Sequence, residues 1–173
     1  MNFLTEKRLI KNEGDVKKAV KAALKKGAIP ACRGNWETVR ITKARSETGW
    51  DIVFKRNNGR QFLAIEAKYA KNKSRASRFE PALAAILIRK NPKCRHSKKE
   101  ISNQKVYYGI AFNKFDKDDI QKDFSKFIRK RINKTERGKL AWEKLFDLGA
   151  RYIFLVNDFT KEVEFYRWKD FLN

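Results

Sequence analysis

Residues 50–67 constrain this chain more than any other stretch. Trp50-Asp51-Ile52-Val53-Phe54 and Gln61-Phe62-Leu63-Ala64-Ile65-Glu66-Ala67 are two β-prone runs, and Asn57-Asn58-Gly59 lies between them. Asn and Gly tolerate the positive φ of a tight turn, so the pair reads as a β-hairpin. The run Phe62 to Ile65 is apolar without alternation. Such a strand is buried on both faces, so the sheet needs a covering layer on each side. The hairpin therefore reads as part of a layered structure.

The flanking segments supply those layers. In residues 13–26, Val16, Ala19, Val20, Ala23 and Leu24 form one stripe at helical spacing, with a basic face opposite. Asn12 is placed to cap this helix and Gly27 to stop it. Trp36 to Thr42 alternates and is β-branched, which predicts a strand. Residues 77–90 predict a helix with Phe79, Leu83, Ile86 and Leu87 along one side. Residues 91–104 read as a basic loop and Val106 to Phe112 as a strand. Residues 116–147 read as helical, broken near Asn133-Lys134-Thr135, with Thr135 capping the second piece. Tyr152 to Val156 and Val163 to Tyr166 form a closing hairpin around Asp158–Lys161. The order α-β-β-β-α-β-α-β-β predicts an α/β fold with a mixed central sheet. No repeat or Gly/Ser-rich linker divides the chain, so residues 1–173 read as a single domain.

The apolar strand Gln61–Ala67 closes on Glu66-Ala67-Lys68. Glu66 and Lys68 are two apart and share one face of the strand. The hairpin brings Asp51 beside them if its register allows. Two carboxylates can hold a hard cation such as Mg²⁺ (or Mn²⁺), which keeps several waters and accepts a phosphate oxygen. The carbonyl of Ala67 is a further candidate ligand. A lysine beside such a cation can orient or help deprotonate an attacking water. These residue types together suit phosphodiester hydrolysis. The plain alternative is a weak ion pair on a solvated strand end.

The charge balance points to the substrate. Lys and Arg total 42 against 20 Asp and Glu, a net charge of +22. Such a field draws polyanions, and nucleic acid comes first, since Lys and Arg neutralise its phosphates. A merely lysine-rich surface is the alternative. Thirteen Phe and four Trp are more aromatics than a disordered chain carries. Two cysteines, Cys32 and Cys94, are too few for a disulfide framework and are expected to be reduced. The N-terminus lacks a signal-like apolar region, and no run is long enough to span a membrane. A cytoplasmic, soluble protein with no membrane partner is the expectation.

Asp51, fourteen residues, then Glu66-Ala67-Lys68 resembles the PD-(D/E)XK nuclease superfamily. The helix and the motif together, NEGDVKKAVKAALKKGAIPACRGN followed by GWD and IEAK, are similar in layout to its VRR-NUC and Holliday-junction-resolvase-like branches. The likeness is concentrated in residues 12–74. It implies a restriction-endonuclease-like αβββαβ core with a mixed sheet flanked by helices. It also implies metal held by Asp51 and Glu66, Lys68 as the catalytic lysine, and a carboxylate from the first helix. Glu13 is assigned that last role and Glu6 is the reserve. Two features depart from the pattern: Trp50 stands where the motif's proline would be, and no clear glutamine follows on the helix after Lys68.

Lys71, Lys73, Ser74, Arg75 and Arg78 follow the motif and are candidate contacts to the phosphate backbone. Lys98 and Lys99, with Lys93 and Arg95, form a second basic patch. Arg129, Lys130 and Arg131 form a third. His96 is the sole histidine and lies among cations, which argues against histidine-dependent cleavage. The four Trp residues are expected to pack in the core rather than stack on bases. The resulting expectation is a Mg²⁺-dependent DNA endonuclease acting on duplex or branched DNA as a homodimer, since cutting two strands calls for two sites. A non-catalytic nucleic-acid-binding protein and a structure-specific RNA nuclease are the alternatives.

Overall fold

The computed structural model describes residues 7–26, 37–38, 49–56, 60–69, 76–89, 91, 101–102, 105–114 and 134–171. Helix α1, Glu13–Lys25, begins where Asn12 accepts a hydrogen bond from the Asp15 N–H at 3.0 Å. That bond satisfies one of the free amides every helix start exposes. Its apolar stripe is buried as the spacing predicts: Val16, Ala19, Val20 and Leu24 all face inward. The helix ends at Lys26, whose N–H returns to the Ala22 carbonyl. Gly27, the expected stop, lies outside the described residues.

The described strands are β1 Glu37–Thr38, β2 Ile52–Arg56, β3 Gln61–Lys68, β4 Val106–Lys114, β5 Ala150–Asn157 and β6 Val163–Arg167. Helices α2, Ala76–Ile88, and α3, Glu136–Asp147, complete the regular elements, with a short 3₁₀ turn at Trp168–Phe171. The strands form one sheet in the order β1-β2-β3-β4-β5-β6. β1–β2, β2–β3 and β5–β6 are antiparallel, whereas β3–β4 and β4–β5 are parallel. This is an α/β fold with a mixed central sheet flanked by helices. Its first six described elements run αβββαβ, the order of a restriction-endonuclease-like core.

A core lies on each face of the sheet. On one face α1 packs against Ile52, Phe54, Leu63, Ile65, Ala67, Ala111 and Phe154. On the other, Ala82 and Ile86 of α2 and Trp142 of α3 cover Val53, Ala64, Tyr108, Ile110 and Ile153. The unbroken apolar run in β3 follows from this, because both of its faces are buried. Trp142 and Trp168 stack at 3.9 Å within the second core. Thr135 caps α3 as its position predicts, accepting from the Gly138 N–H at 3.0 Å. Along α2 the predicted stripe is corrected at Leu87, and the side chain of Phe79, also assigned to it, lies outside the described residues. Leu87 is 59% exposed, and Ala82 and Ala85 are buried beside Ile86 instead. The close sheet-to-helix approach selects small residues there, which a count of large apolar side chains overlooks.

Gly149 turns the chain from α3 into β5 at a φ of 105°, a conformation that suits glycine. Gly109 in β4 lies so close to Phe154 that a β-carbon there would stand 2.9 Å from its ring.

Candidate functional site

The site forms where β2 begins and β3 ends. The antiparallel register pairs Ile52 with Ile65. One further step sets Asp51 opposite Glu66, and directly opposed residues share a face. Alternation then places both with Val53 and Ala64, toward α2. The ladder between β2 and β3 stops at Ile52, and the Asp51 side chain takes over from it. Its Oδ2 accepts the Ala67 N–H at 2.8 Å. This bond fixes the carboxylate against the adjoining strand and leaves Oδ1 as its outward oxygen. The N–H and C=O of an extended residue point to the same edge, so the Ala67 carbonyl faces the Asp51 side as well.

Glu66 is fully buried. It is surrounded by cations: Arg89, just past the end of α2, donates to both carboxylate oxygens, one of these bonds being 2.9 Å, and the Lys68 ammonium pairs with Oε1. Burial raises the Glu66 pKa above the ordinary carboxylate value, and the negative charge of Asp51 adds to the effect, while Lys68 and Arg89 oppose it. Arg89 also donates to the Gly49 carbonyl and lies over the Trp50 ring, 5.8 Å from its centroid. Trp50 in turn stacks on Tyr108 at 5.1 Å, and the Tyr108 hydroxyl donates to Asn91. Trp50 is thus the platform on which Arg89 rests.

Helix α1 supplies the remaining members. Asn12 starts the helix so that Glu13 and Lys17, four residues apart, project from one side of its first turns. Lys17 Nζ lies 2.6 Å from Asp51 Oδ1 and 2.9 Å from Glu13 Oε1. Glu13 Oε2 stands 3.8 Å from Lys68 Nζ. Burial pulls the Lys17 pKa down, but its bonds to Asp51 and Glu13 outweigh that and raise it above the ordinary lysine value. The result is a chain of alternating charge, Asp51–Lys17–Glu13–Lys68–Glu66–Arg89, with three carboxylates against three cations.

Asp51, Glu66, Lys68 and Glu13, the four residues assigned catalytic roles from the sequence, are therefore neighbours. Among the described residues no group of three His, Cys, Asp or Glu side chains is gathered closely enough to hold a metal ion. A Mg²⁺ ion does not need three, since it commonly takes one or two carboxylates and keeps its waters. Asp51 Oδ1, a Glu66 oxygen and the Ala67 carbonyl are hard oxygen donors of the type it prefers. By donor chemistry the residues fit the ion, and each carboxylate now carries a cation of the protein's own.

Sequence reasoning missed two members of the group. Lys17 was detectable, because it lies one helical turn from Glu13. Arg89 was not, because nothing local links it to Glu66, 23 residues earlier. Of the proposed backbone contacts, Lys71, Lys73, Ser74, Arg75, Lys98 and Lys99 lie outside the described residues. So do Glu6, Cys32, Trp36, Lys93, Cys94, Arg95, His96, Arg129, Lys130 and Arg131. Arg78 belongs to α2 by its backbone, and its side chain lies outside the description. Trp50, Trp142 and Trp168 are buried, as core packing requires. No described helix is long and apolar enough to cross a membrane.

No protein-family model matches the sequence, and no curated protein matches it significantly. Among solved structures, an XisH family protein from Nostoc punctiforme is similar at a TM-score of 0.45 and 15% identity, over 87% of this chain and 96% of that one. A likeness at that level says nothing of chemistry. The α/β assignment rests on the strand order and register described above.

Proposed function

We propose that the protein is a metal-dependent endodeoxyribonuclease of the PD-(D/E)XK type. The observation that carries this reading is the convergence of Asp51, Glu66 and Lys68 at one end of the β2–β3 hairpin, with Asp51 tied to the Ala67 amide at 2.8 Å. Asp51 and Glu66, with the Ala67 carbonyl, would hold Mg²⁺ or Mn²⁺. When bound, such an ion acidifies a water and offsets charge on a phosphoryl group under attack. The protein's own groups divide the remaining work. Arg89 opposes the burial that would otherwise favour a protonated Glu66. Lys68, two residues along the same strand, orients the attacking water or steadies the developing negative charge. The net charge of +22 gathers the polyanionic substrate. Cutting both strands of a duplex or a junction calls for two such sites, hence a homodimer.

The ion pairing of every carboxylate favours a second reading: a basic nucleic-acid-binding protein in which the same residues form a structural network. One experiment separates the two. Supercoiled plasmid, linear duplex, a four-way DNA junction and a structured RNA are incubated with wild type, Asp51→Ala or Lys68→Ala, in Mg²⁺ or EDTA. The nuclease reading expects Mg²⁺-dependent cutting of DNA, reduced about 100-fold or more in each variant while binding persists. Binding without cutting on every substrate would leave the second reading, and cutting confined to RNA would reassign the substrate.

A further inference from the structure

We propose that Lys17 is a resident counter-ion that occupies the cation position at Asp51 and sets the site's affinity for divalent metal. The inference rests on reading Asp51 and Glu66 as metal ligands. Asp51 Oδ2 accepts the Ala67 N–H at 2.8 Å. The outward Oδ1 is paired with the Lys17 ammonium at 2.6 Å. A divalent ion at Asp51 would therefore compete with a cation already in place.

The three cations of the group differ in how readily they yield. Arg89 is held on several sides, by both Glu66 oxygens, the Gly49 carbonyl and the Trp50 ring. Lys68 is anchored by β3 between Glu66 and Glu13. Lys17 reaches in from a separate element on a flexible stem, and among the described residues no ring or backbone carbonyl braces its ammonium, only the Asp51 and Glu13 carboxylates. It also has a second carboxylate on its own helix, Glu13 at 2.9 Å. An arriving ion can therefore displace Lys17 from Asp51 while its ammonium stays paired with Glu13. Without metal, Lys17 relieves the repulsion between the carboxylates. With metal, it is the group that swings aside.

The test needs no nucleic acid and no cleavage. Binding of Mn²⁺ is measured by the loss of the free-ion electron paramagnetic resonance signal, for wild type, Lys17→Ala, Lys17→Arg and Lys18→Ala. Lys18 points about 100° away around the helix and lines a groove against the β5–β6 hairpin, so it controls for the loss of one positive charge. Lys17→Ala is expected to bind Mn²⁺ about fivefold more tightly than wild type, the weight of one partly exposed ion pair. Lys17→Arg should bind no tighter than wild type, and Lys18→Ala should stay within about twofold, since an exposed charge on another side of the helix acts on the site only weakly through water. If wild type binds Mn²⁺ and Lys17→Ala binds it no more tightly than Lys18→Ala, the counter-ion role is refuted and the metal site stands. If none of the four proteins binds Mn²⁺, the metal site itself is refuted, and this inference with it.

Discussion

Removing the Arg89 guanidinium tests whether the buried carboxylate depends on its partner. Glu66 is fully buried, while the Arg89 side chain is 29% exposed. Deleting one member of a buried ion pair costs about 3–5 kcal/mol, because the other charge is left without compensation. Two features move this case to the lower end: Lys68 still pairs with Glu66, and the partly exposed Arg89 position lets water enter. Loss of the guanidinium over Trp50 adds about 0.5–1 kcal/mol. Arg89→Ala is therefore expected to destabilise by about 3 kcal/mol. For a chain of this size that lowers Tm by about 6–12 °C. The assay is urea unfolding of wild type, Arg89→Ala, Glu66→Gln and the double variant, read as a double-mutant cycle. Removing the Glu66 charge should recover about 1–2 kcal/mol of what Arg89→Ala loses. Arg89→Met, which keeps a stem on Trp50, should fall between wild type and Arg89→Ala. If Arg89→Ala lies within about 0.5 kcal/mol of wild type, or the cycle shows no coupling, Glu66 does not depend on Arg89 for charge compensation.

Two further outcomes are expected. Asn12→Ala removes the cap of the helix that carries Glu13 and Lys17 and should cost about 1 kcal/mol in a thermal melt, whereas an unchanged melt would show that packing alone holds the start of α1. Tyr166→Phe addresses alkaline stability. Burial, then the bond and charge of Glu164, raise the Tyr166 pKa. A raised folded-state pKa means that this contribution is complete below the ordinary tyrosine value of about 10 and is lost as pH rises beyond it. Urea midpoints from pH 8 to 11.5 should show the advantage of wild type over Tyr166→Phe shrinking above about pH 10. A gap independent of pH would rule that linkage out.

The β2–β3 hairpin was legible because it is local. Asp51 and Glu66-Ala67-Lys68 lie within 18 residues, where strand alternation relates one side chain to the next; Asn57-Asn58-Gly59, the expected turn, lies outside the described residues. Helix α1 was legible for a similar reason, since its cap and apolar stripe repeat at the helical period. Its docking was not legible, because periodicity says which face is buried and not what covers it. Glu13 came to the site through a family resemblance, and the structure sets it beside Lys68 and Lys17. Along α2, the misplacement of Leu87 shows the limit of counting large apolar residues where close packing selects alanine.

By itself the sequence determined the mixed α/β element order, the buried central strand and the shared face of Glu66 and Lys68, all set by periods of two and 3.6 residues along the chain; the hairpin register that sets Asp51 opposite Glu66 came from the structure. Tertiary structure alone decided what surrounds that pair. Arg89 meets Glu66 only because α2 crosses back over the sheet, and Lys17 meets Asp51 only because α1 packs on the opposite face and overhangs the same end. Both contacts join elements far apart in sequence, and no local pattern encodes them. A buried carboxylate needs compensating charge, and the fold brings it from wherever the crossing helices happen to pass.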